Sequence, residues 1–213
     1  MRELTVKKND AGQRLDKFIT KALDIPPSLL YKSIRTKKIK VNRKRAEANT
    51  ILEVGDTIQC FIAEEFFKRE ADDGSLARIT PHLDIVYEDE NLLLLNKRPG
   101  ISVHEDEKGS TNTLITHVKS YLYQKGEYSP SNEQSFTPAL CNRIDRNTGG
   151  IVIAAKNAET LRVMNEKIKS REIDKFYLAA IHGIPKKKSD TLYAFLRKDS
   201  ERNIVRIYDS NPT

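Results

Sequence analysis

The sequence predicts an α+β protein with two domains, residues 1–63 and 81–213, joined by a linker at residues 64–80. In the first domain, two segments with helical spacing of apolar side chains precede two segments of alternating apolar and polar residues, which is typical of strands. In the second domain, strand and helix patterns are interspersed, and we expect a mixed sheet. The linker, EEFFKREADDGSLARIT, is mostly polar and has no sustained period; alternatively, Phe66 and Phe67 pack on one of the domains.

The first domain is predicted to contain two helices followed by two strands. Within residues 12–23, apolar side chains recur three and four positions apart, as on one face of a helix. A second helix begins at the double proline of residues 26–27 and has basic residues near its C-terminal end, where the helix dipole favours cations. Alternation at residues 39–42 and 58–62 predicts the two strands.

The second domain is predicted to begin with two strands on either side of the turn EDEN. An irregular KRPG and a short strand at ISVH follow, and then a helix in STNTLITHVKSYLYQKG. Asn157 is a suitable cap for a further helix over residues 157–172. Residues 173–183, IDKFYLAAIHG, predict a strand, and residues 191–209 predict a hairpin that turns at KDSERN.

The composition allows a folded core and argues against several classes of protein. With 38% hydrophobic residues, the 213-residue chain can bury a core, whereas its longest apolar runs, Leu92–Leu95 and Ile151–Ala155, are far too short to cross a bilayer. The N-terminus has no apolar segment behind its charges, so we expect a cytoplasmic protein with no membrane attachment. Two cysteines and four scattered histidines have no metal-ligand spacing, so we expect no metal site.

The net charge of +7 is concentrated in the first domain. Residues 1–63 contain 14 Lys and Arg against 7 Asp and Glu, whereas residues 64–213 contain 23 of each kind. The segment KSIRTKKIKVNRKR, residues 32–45, holds eight cations and no acid. Such a stripe is either a solvated lysine-rich face or a surface that a polyanion neutralises, because each phosphate contact releases counterions.

One carboxylate, Asp145, stands between Arg143 and Arg146 in CNRIDRNTGGIVIAA, shortly before a Gly-Gly pair and an apolar run. In one interpretation it forms an ordinary salt bridge with a neighbouring arginine. In the other, the cations keep it ionised and the apolar flanks remove its water, which suits a carboxylate nucleophile. An extended RID would aim Arg143 and Asp145 into one cleft, because alternate residues of a strand share a face. The spacing alone does not choose between the two interpretations.

Residues 10–63 resemble the S-four-type RNA-binding domain, a small helix-helix-strand module of a ribosomal protein and several RNA-modifying enzymes. The likeness is carried by GQRLDKFI, by SIRTKKIKVN and by VGDTIQCFI. In that family the second helix and the following turn contact the phosphates of structured RNA and read its shape and charge. The resemblance therefore implies an RNA-binding set of Arg35, Lys37, Lys38, Lys40, Arg43, Lys44 and Arg45.

The segment NRIDRNTGG resembles the signature of the RluA/RluC/RluD group of pseudouridine synthases, usually His-Arg-Leu-Asp-Arg-x-Thr-Ser-Gly, in which the Asp is catalytic. Three further segments match that family in order: LLLLNKRPGISVH, AAKN with the helix after it, and DKFYLAAIHG. Two positions differ, since Asn142 replaces the usual His and Gly149 the usual Ser. The resemblance covers nearly the whole chain and implies an α+β pseudouridine synthase domain built on a mixed sheet.

The resemblance implies a cofactor-free isomerisation of uridine to pseudouridine in structured RNA, with large-subunit ribosomal RNA as the expected substrate and a monomeric enzyme. Asp145 is then the catalytic carboxylate, and Tyr177 stacks on the flipped base and assists proton transfer. Arg143 and Arg146 hold phosphates or fill the space left by the base, and Lys175 supports the site. On pattern alone Tyr177 is typical of a strand aromatic, so its role rests on the resemblance.

Two alternatives to this function remain open. The family's usual segment Leu-x-Thr-Gly-Arg-x-His-Gln-Ile-Arg, whose basic residue pairs with the catalytic Asp, has no counterpart before YDSNPT, so we expect a C-terminally incomplete synthase domain. The first alternative is accordingly an RNA-binding protein of the same ancestry that does not catalyse. The second is an Asp-dependent hydrolase unrelated to RNA, which leaves the charge of residues 1–63 without a purpose.

Overall fold

The computed structural model describes residues 1–67, 73–105, 112–199 and 204–211. The chain forms two compact units, Met1–Ile173 and Asp174–Thr213. Within the first unit, the buried apolar side chains form two separate clusters, one from residues 4–67 and one from residues 76–154. The first unit therefore holds two hydrophobic cores, and Asp145 lies in the part of the chain that builds the second.

A four-stranded antiparallel sheet and two helices enclose the first core. The elements are β1 (Arg2–Thr5), α1 (Leu15–Ala22), α2 (Pro27–Arg35), β2 (Ile39–Val41), β3 (Lys44–Arg45) and β4 (Thr57–Cys60), in the strand order β1-β4-β2-β3. Both predicted helices and both predicted strands are present. The sequence does not predict β1, because RELT has a single apolar side chain, Leu4, which pairs with Ile58 of β4.

The two helices follow their sequence signals. α1 buries Leu15, Phe18 and Ile19 completely, and these residues form the face indicated by the apolar spacing. α2 has Pro27 in its first turn, where the missing N–H costs no helical hydrogen bond, and it ends at Arg35. Local signals and packing therefore agree for both helices of this core.

Both described ends of the predicted linker pack against a core. Residues Glu64–Phe66 form a 3-10 turn, and Phe67 is buried in the first core, so the alternative proposed for these phenylalanines holds. A short helix, α3 (Asp73–Ala77), places Leu76 in the second core, where the Ser120 hydroxyl donates to the Leu76 carbonyl at 2.9 Å. Residues 68–72 of the predicted linker lie outside the described part of the chain.

A second four-stranded sheet carries the second core. Its strands are β5 (Ile85–Glu88), β6 (Leu92–Lys97), β7 (Ala139–Leu140) and β8 (Gly150–Ala155), in the order β5-β6-β8-β7. Every pairing between these described strands is antiparallel, so the prediction of a mixed sheet is wrong for this part of the chain. The predicted strand at ISVH is reduced to one parallel bridge, between Ser102 and Thr113, and the Ser102 and Val103 carbonyls accept from the Leu114 and Ile115 N–H groups at the start of the next helix.

Two longer helices pack beside this sheet. α4 (Leu114–Gln124) contributes buried side chains such as Leu122 to the second core. α5 (Ala158–Lys169) begins after Asn157, whose side chain accepts a hydrogen bond from the Thr160 N–H at 2.9 Å. The predicted cap of α5 is therefore confirmed.

The second unit contains a hairpin. β9 (Phe195–Asp199) and β10 (Ile204–Tyr208) pair antiparallel as predicted, and residues 200–203 of the predicted turn lie outside the described part of the chain. The predicted strand at residues 173–183 is wrong: no described strand pairs with it, and Leu178 is fully exposed. The pattern failed here because a strand needs a hydrogen-bonded neighbour as well as alternating side chains.

Within the described residues, the longest helix is α5, with 12 residues. A helix that crosses a bilayer needs about 20 apolar residues. None of the described helices is long and apolar enough for that.

Candidate active site

The chain leaves the second sheet after β7 and forms the loop that carries Asp145. At its start, Cys141 donates its N–H to the Ile153 carbonyl at 2.7 Å. Asn142 then continues the ladder with its side chain, since its amide nitrogen donates to the Ile151 carbonyl at 3.1 Å and its amide oxygen accepts from the Ile153 N–H at 2.8 Å. The side chain takes the place of a peptide group on β8, so the backbone that follows is free to turn away from the sheet.

Asp145 lines a small cavity. The cavity has a volume of about 290 Å³ and is formed by residues 102–105 and 143–146. Arg143 and Asp145 both line it, although RID is not part of a strand. Asp145 is exposed, and no described residue forms an ion pair or a side-chain hydrogen bond with its carboxylate. The ordinary salt bridge with a neighbouring arginine is therefore not found in the described part of the chain.

A buried cation lies behind the Asp145 loop. Lys97, the last residue of β6, is 2% exposed, and its ammonium group donates to the carbonyls of Arg98, Ile101 and Arg146 at 3.0–3.2 Å. Burial lowers the pKa of Lys97, whereas the negative charge of Asp145 acts to raise it. Lys97 thus places a positive charge within electrostatic reach of Asp145 and also holds the residue next to it.

The same two loops are joined by their backbones. The Gly100 N–H donates to the Arg146 carbonyl at 2.8 Å, and the Arg146 Nε donates to the Gly100 carbonyl at 3.0 Å. At Gly149 a Cβ would lie 3.3 Å from the side chain of Pro99 and 3.4 Å from the Lys97 carbonyl, so the loops approach closely there. Asp145 is therefore carried by a loop that the segment after β6 holds in place.

Sequence reasoning missed the role of Lys97, although a signal was present. Lys97 lies on the same face of β6 as Leu93 and Leu95, and all three are buried. The period of a strand therefore places this lysine inside the protein. The sequence pattern instead reads as part of a turn with Pro99 and Gly100, and that turn is present as well.

His104 lines the same cavity as Asp145. Burial lowers the pKa of His104, and the positive charges of Arg143 and Lys119 lower it further. The imidazole is therefore neutral at pH 7 and adds no charge to the cavity.

The seven predicted RNA-binding residues follow one another along the first core, and we call them the basic strip. They occupy the end of α2, the turn after it and the β2–β3 hairpin, and all but Lys40 are exposed. The Lys40 ammonium lies 5.5 Å from the centroid of the Phe61 ring. No described carboxylate forms an ion pair with any of the seven: Arg35, Lys37, Lys38, Lys40, Arg43, Lys44 and Arg45.

The turn in the middle of the basic strip is held by side chains. Asn42 and Arg43 both have positive φ, 50° and 64°, as a tight hairpin turn requires. The Asn42 side chain donates to Asp56 at 2.7 Å and accepts from the Thr57 N–H at 2.9 Å. The Arg43 N–H donates to the side chain of the buried Gln59 at 2.9 Å. The cations of this turn are therefore displayed from a fixed backbone.

Lys175 and Tyr177 belong to the second unit. Both are exposed there, Tyr177 to 62%, and neither is part of a strand. Among the described residues, no hydrogen bond or ion pair of either side chain is found. Their assignment to the site stays a prediction.

A metal site and a reactive thiol each have requirements with which the described residues can be compared. No group of three or more His, Cys, Asp or Glu among them could hold a metal ion. Burial raises the pKa of Cys60 and of Cys141 to about 11, so neither is a reactive thiolate at pH 7.

Comparison of the sequence with known proteins identifies close similarities. The profile of the family described as RNA pseudouridylate synthase matches residues 91–211. An uncharacterized RNA pseudouridine synthase of Mycoplasma capricolum is 35% identical over 84% of this chain and 58% of its own length. The ribosomal large subunit pseudouridine synthase C of Buchnera aphidicola is 31% identical over 94% of this chain and 62% of its own. This chain thus spans about three fifths of the length of these curated relatives.

Two solved structures are also similar. Human RNA pseudouridylate synthase domain containing 4 gives a TM-score of 0.33 at 20% identity, over 47% of this chain and 33% of that one. A structure described as a pseudouridylate synthase gives a TM-score of 0.23 at 18% identity, over 71% of this chain and 52% of that one. Because these TM-scores are low, the family assignment rests on the sequence matches and not on the solved structures.

Proposed function

This chain belongs to the RNA pseudouridylate synthase family, and on that premise we propose that it isomerises uridine to pseudouridine in structured RNA. The proposed substrate is large-subunit ribosomal RNA, because several relatives of 30–31% identity are named ribosomal large subunit pseudouridine synthase C. The reaction breaks the bond from ribose C1′ to uracil N1 and forms a bond from C1′ to C5. N1 gains a proton and C5 loses one, so neither a cofactor nor a co-reactant is consumed.

The proposal rests mainly on one observation, the accessibility of the Asp145 carboxylate. It is exposed, lines the cavity, and has no ion-pair partner among the described residues. The hydrogen bonds that hold its loop come from Lys97, Gly100 and Asn142, so the carboxylate itself is left available. A group that must react with a flipped base needs such support from its neighbours, because its own bonds would have to break first.

The other site residues take the following proposed roles. Arg143, in the same cavity as Asp145, and Arg146 hold phosphates of the flipped nucleotide or fill the space that it leaves. Tyr177 stacks on the uracil while it turns and assists removal of the proton from C5, because a phenol offers both a π face and a polar group. Lys175 supports the site electrostatically.

The N-terminal module, residues 1–63, is proposed to be an S-four-type RNA-binding domain of a monomeric, cytoplasmic enzyme. Support comes from the helix-helix-strand order and from the basic strip, whose cations lack described ion-pair partners. Exposed cations without partners repel one another, and RNA phosphates would remove that repulsion with release of counterions. The strip therefore suits contacts with the backbone of structured RNA.

Pseudouridine mapping of large-subunit ribosomal RNA tests the function. RNA from cells that contain the wild-type chain, Asp145→Asn or Asp24→Asn is compared, where Asp24 is an exposed Asp of the N-terminal module. We expect a modified uridine with wild type and with Asp24→Asn, and none with Asp145→Asn. RNA binding by the wild-type chain without any pseudouridine would instead establish a non-catalytic RNA-binding protein.

A further inference from the structure

Asp10 is a fully buried carboxylate outside the candidate site, with an exposed fraction of 0%. One of its oxygens accepts hydrogen bonds from the N–H and the hydroxyl of Ser135, at 3.2 and 2.6 Å. The other accepts from the Lys7 N–H at 3.1 Å and from the Gln134 side-chain amide at 3.4 Å. Donors from two distant stretches of chain are therefore gathered around one buried charge.

Further hydrogen bonds join the same parts of the molecule. Residues 5–13 of the N-terminal module contact residues 132–135, which precede β7, and residues 158–162 of α5; we call these three stretches the Asp10 latch. Its other bonds are Gln134 to the Thr5 carbonyl (2.7 Å), Lys7 to the Asn132 carbonyl, Asn9 to Glu133 (2.8 Å), the Ala158 N–H to Asn9 (3.3 Å), Gln13 to Ser135 (2.7 Å) and Arg162 to the Ala11 carbonyl (3.0 Å).

The Asp10 latch joins the segment that leads to the basic strip with the segment that leads to Asp145. Residues 5–13 run into α1, which shares a core with α2, and α2 ends in the basic strip. On the other side, Ser135 precedes β7, and β7 leads directly into the loop that carries Asp145. The basic strip and Asp145 thus belong to one compact unit, Met1–Ile173.

A buried charge gives such a contact a preferred orientation. A module held only by a flexible linker raises the local concentration of RNA, and any uridine within reach of the linker can then enter the site. A tilt or slide of the latch surfaces that keeps water out would take from Asp10 the donors of Ser135 and Gln134, and a carboxylate that stays buried without its partners is strongly unfavourable. The distance from the basic strip to Asp145 is therefore constant while the latch is closed.

We propose that the Asp10 latch makes the N-terminal module a ruler that selects the target uridine by its fixed distance from an RNA helix bound to the basic strip. This role rests on the proposed function, because it concerns which uridine reaches Asp145. Asp10 is a positioning residue in this scheme, since it acts through Ser135 and touches no RNA. The matching substrate is an RNA in which a helix and an unpaired uridine are rigidly connected.

Asp10→Asn in the full chain tests the ruler, because it keeps the side-chain shape but turns an amino group toward hydrogen-bond donors. Ser135→Ala removes the main partner and serves as a second variant should Asp10→Asn fail to fold. Each is assayed on a long ribosomal RNA fragment that reaches the basic strip and on a short stem-loop with the target uridine alone. We expect kcat/KM on the long fragment to fall about tenfold, with pseudouridine spreading to nearby uridines, and an unchanged rate on the stem-loop. Asp24→Asn is the matched control.

A distance measurement tests the latch without any reaction. Spin labels at Glu47→Cys in the module and Asn165→Cys on α5, both exposed positions, are measured by double electron–electron resonance after replacement of Cys60 and Cys141 by Ala. We expect a narrow distance distribution in the otherwise unchanged chain and a broad one in both latch variants.

Three results would overturn the proposal. The first is a wild-type distance distribution as broad as that of Asp10→Asn, whether or not pseudouridine forms. The second is a wild-type rate and modification pattern on the long fragment in both latch variants. The third is an equal loss on the long fragment and the stem-loop, which would make Asp10 a support of the fold only. A narrow distribution with no pseudouridine on either RNA would sink the proposed function, and the ruler with it.

Discussion

Asp10 and Asp145 are the same residue type in one compact unit, but their surroundings are opposite. Asp10 is fully buried and accepts four hydrogen bonds, whereas Asp145 is exposed and has no ion-pair partner among the described residues. Near Asp10 the donors point at the carboxylate itself. Near Asp145 they point at the backbone around it, as the Lys97 ammonium does at the Arg146 carbonyl.

The difference separates a carboxylate with a structural role, Asp10, from one with a proposed chemical role, Asp145. A carboxylate that is saturated with donors fixes parts of the molecule in place and is too well stabilised to react. A carboxylate whose loop is held by other groups keeps its lone pairs for a substrate. Substitution at the two positions should therefore affect different quantities, stability and orientation at Asp10 and the rate of reaction at Asp145.

The largest effect is expected for Asp145→Asn. We expect pseudouridine formation to fall roughly 10⁴-fold, because the reacting carboxylate is removed, while the free energy of unfolding changes by less than about 0.5 kcal/mol. Single-turnover release of tritium from uridine labelled at C5 measures the rate, and urea unfolding measures stability. A rate within tenfold of wild type would show that Asp145 does not carry the reaction.

Lys97→Met should affect both quantities. It removes the ammonium donor from the carbonyls of Arg98, Ile101 and Arg146, of which the last keeps only the Gly100 N–H, so we expect a loss of about 3 kcal/mol in the free energy of unfolding. The Asp145 loop should also shift, with a fall of roughly 100-fold in kcat. Lys8→Met, at an exposed lysine, is the control. Full activity in a stably folded Lys97→Met would mean that the buried cation has no part in positioning Asp145.

Replacement of Lys37, Lys38 and Arg43 by Gln should weaken RNA binding without a change in kcat. We expect the slope of log affinity against log salt to fall by about 2 to 3 and the affinity near physiological salt to fall roughly 30-fold. Gln at Lys186, Lys187 and Lys188 of the second unit removes the same charge and should have little effect. Equal losses in the two triple variants would point to net charge alone, and not to the basic strip.

Glu88→Gln should lower the free energy of unfolding near neutral pH without changing the rate of reaction, and this loss of stability should become smaller at acidic pH. Burial alone would raise the pKa of Glu88, but hydrogen bonds from Lys125, Tyr121 and Lys156 outweigh it and lower the pKa to about 2. A lowered carboxyl pKa stabilises the fold above the unfolded value of 4.5, and this contribution is lost as the pH falls toward 2. We expect Glu88→Gln to cost about 2 kcal/mol at pH 7 and progressively less below pH 4.5. Unfolding curves across this range measure the difference, and a constant difference would contradict the assignment.

Local sequence patterns predicted the elements that have strong signals of their own. α1 has a complete apolar face, α2 starts at a proline, and α5 starts directly after its cap, Asn157. Strands β5 and β6 were predicted on either side of the turn EDEN, and they pair antiparallel there. The signals for these elements lie within their own segments, so they could be predicted without knowing which strands or helices pack beside them.

The rest depended on partners that a sequence does not display. β1 has one apolar side chain and is a strand because β4 is beside it, whereas residues 173–183 have the pattern of a strand and no described partner. Asp10 was not identified as a buried charge, because the residue type alone does not distinguish a buried Asp from a solvated one. Lys97 was missed because its segment was interpreted as a turn and the strand period was not extended to it. Local sequence singled out Asp145 but left a salt bridge and a nucleophile as alternatives; the family signature favoured the nucleophile, and the free carboxylate became visible in the structure alone.

The Asn142 side chain has a further consequence for measurement. The Ile153 N–H, in the middle of β8, is bonded to this side chain and not to a neighbouring strand. Its hydrogen–deuterium exchange should therefore follow the opening of the Asp145 loop, while the amides of β6 and β8 that bond to a neighbouring strand follow the opening of the sheet. Exchange of the Ile153 amide proton thus measures, in the absence of RNA, how often the loop that holds Asp145 opens.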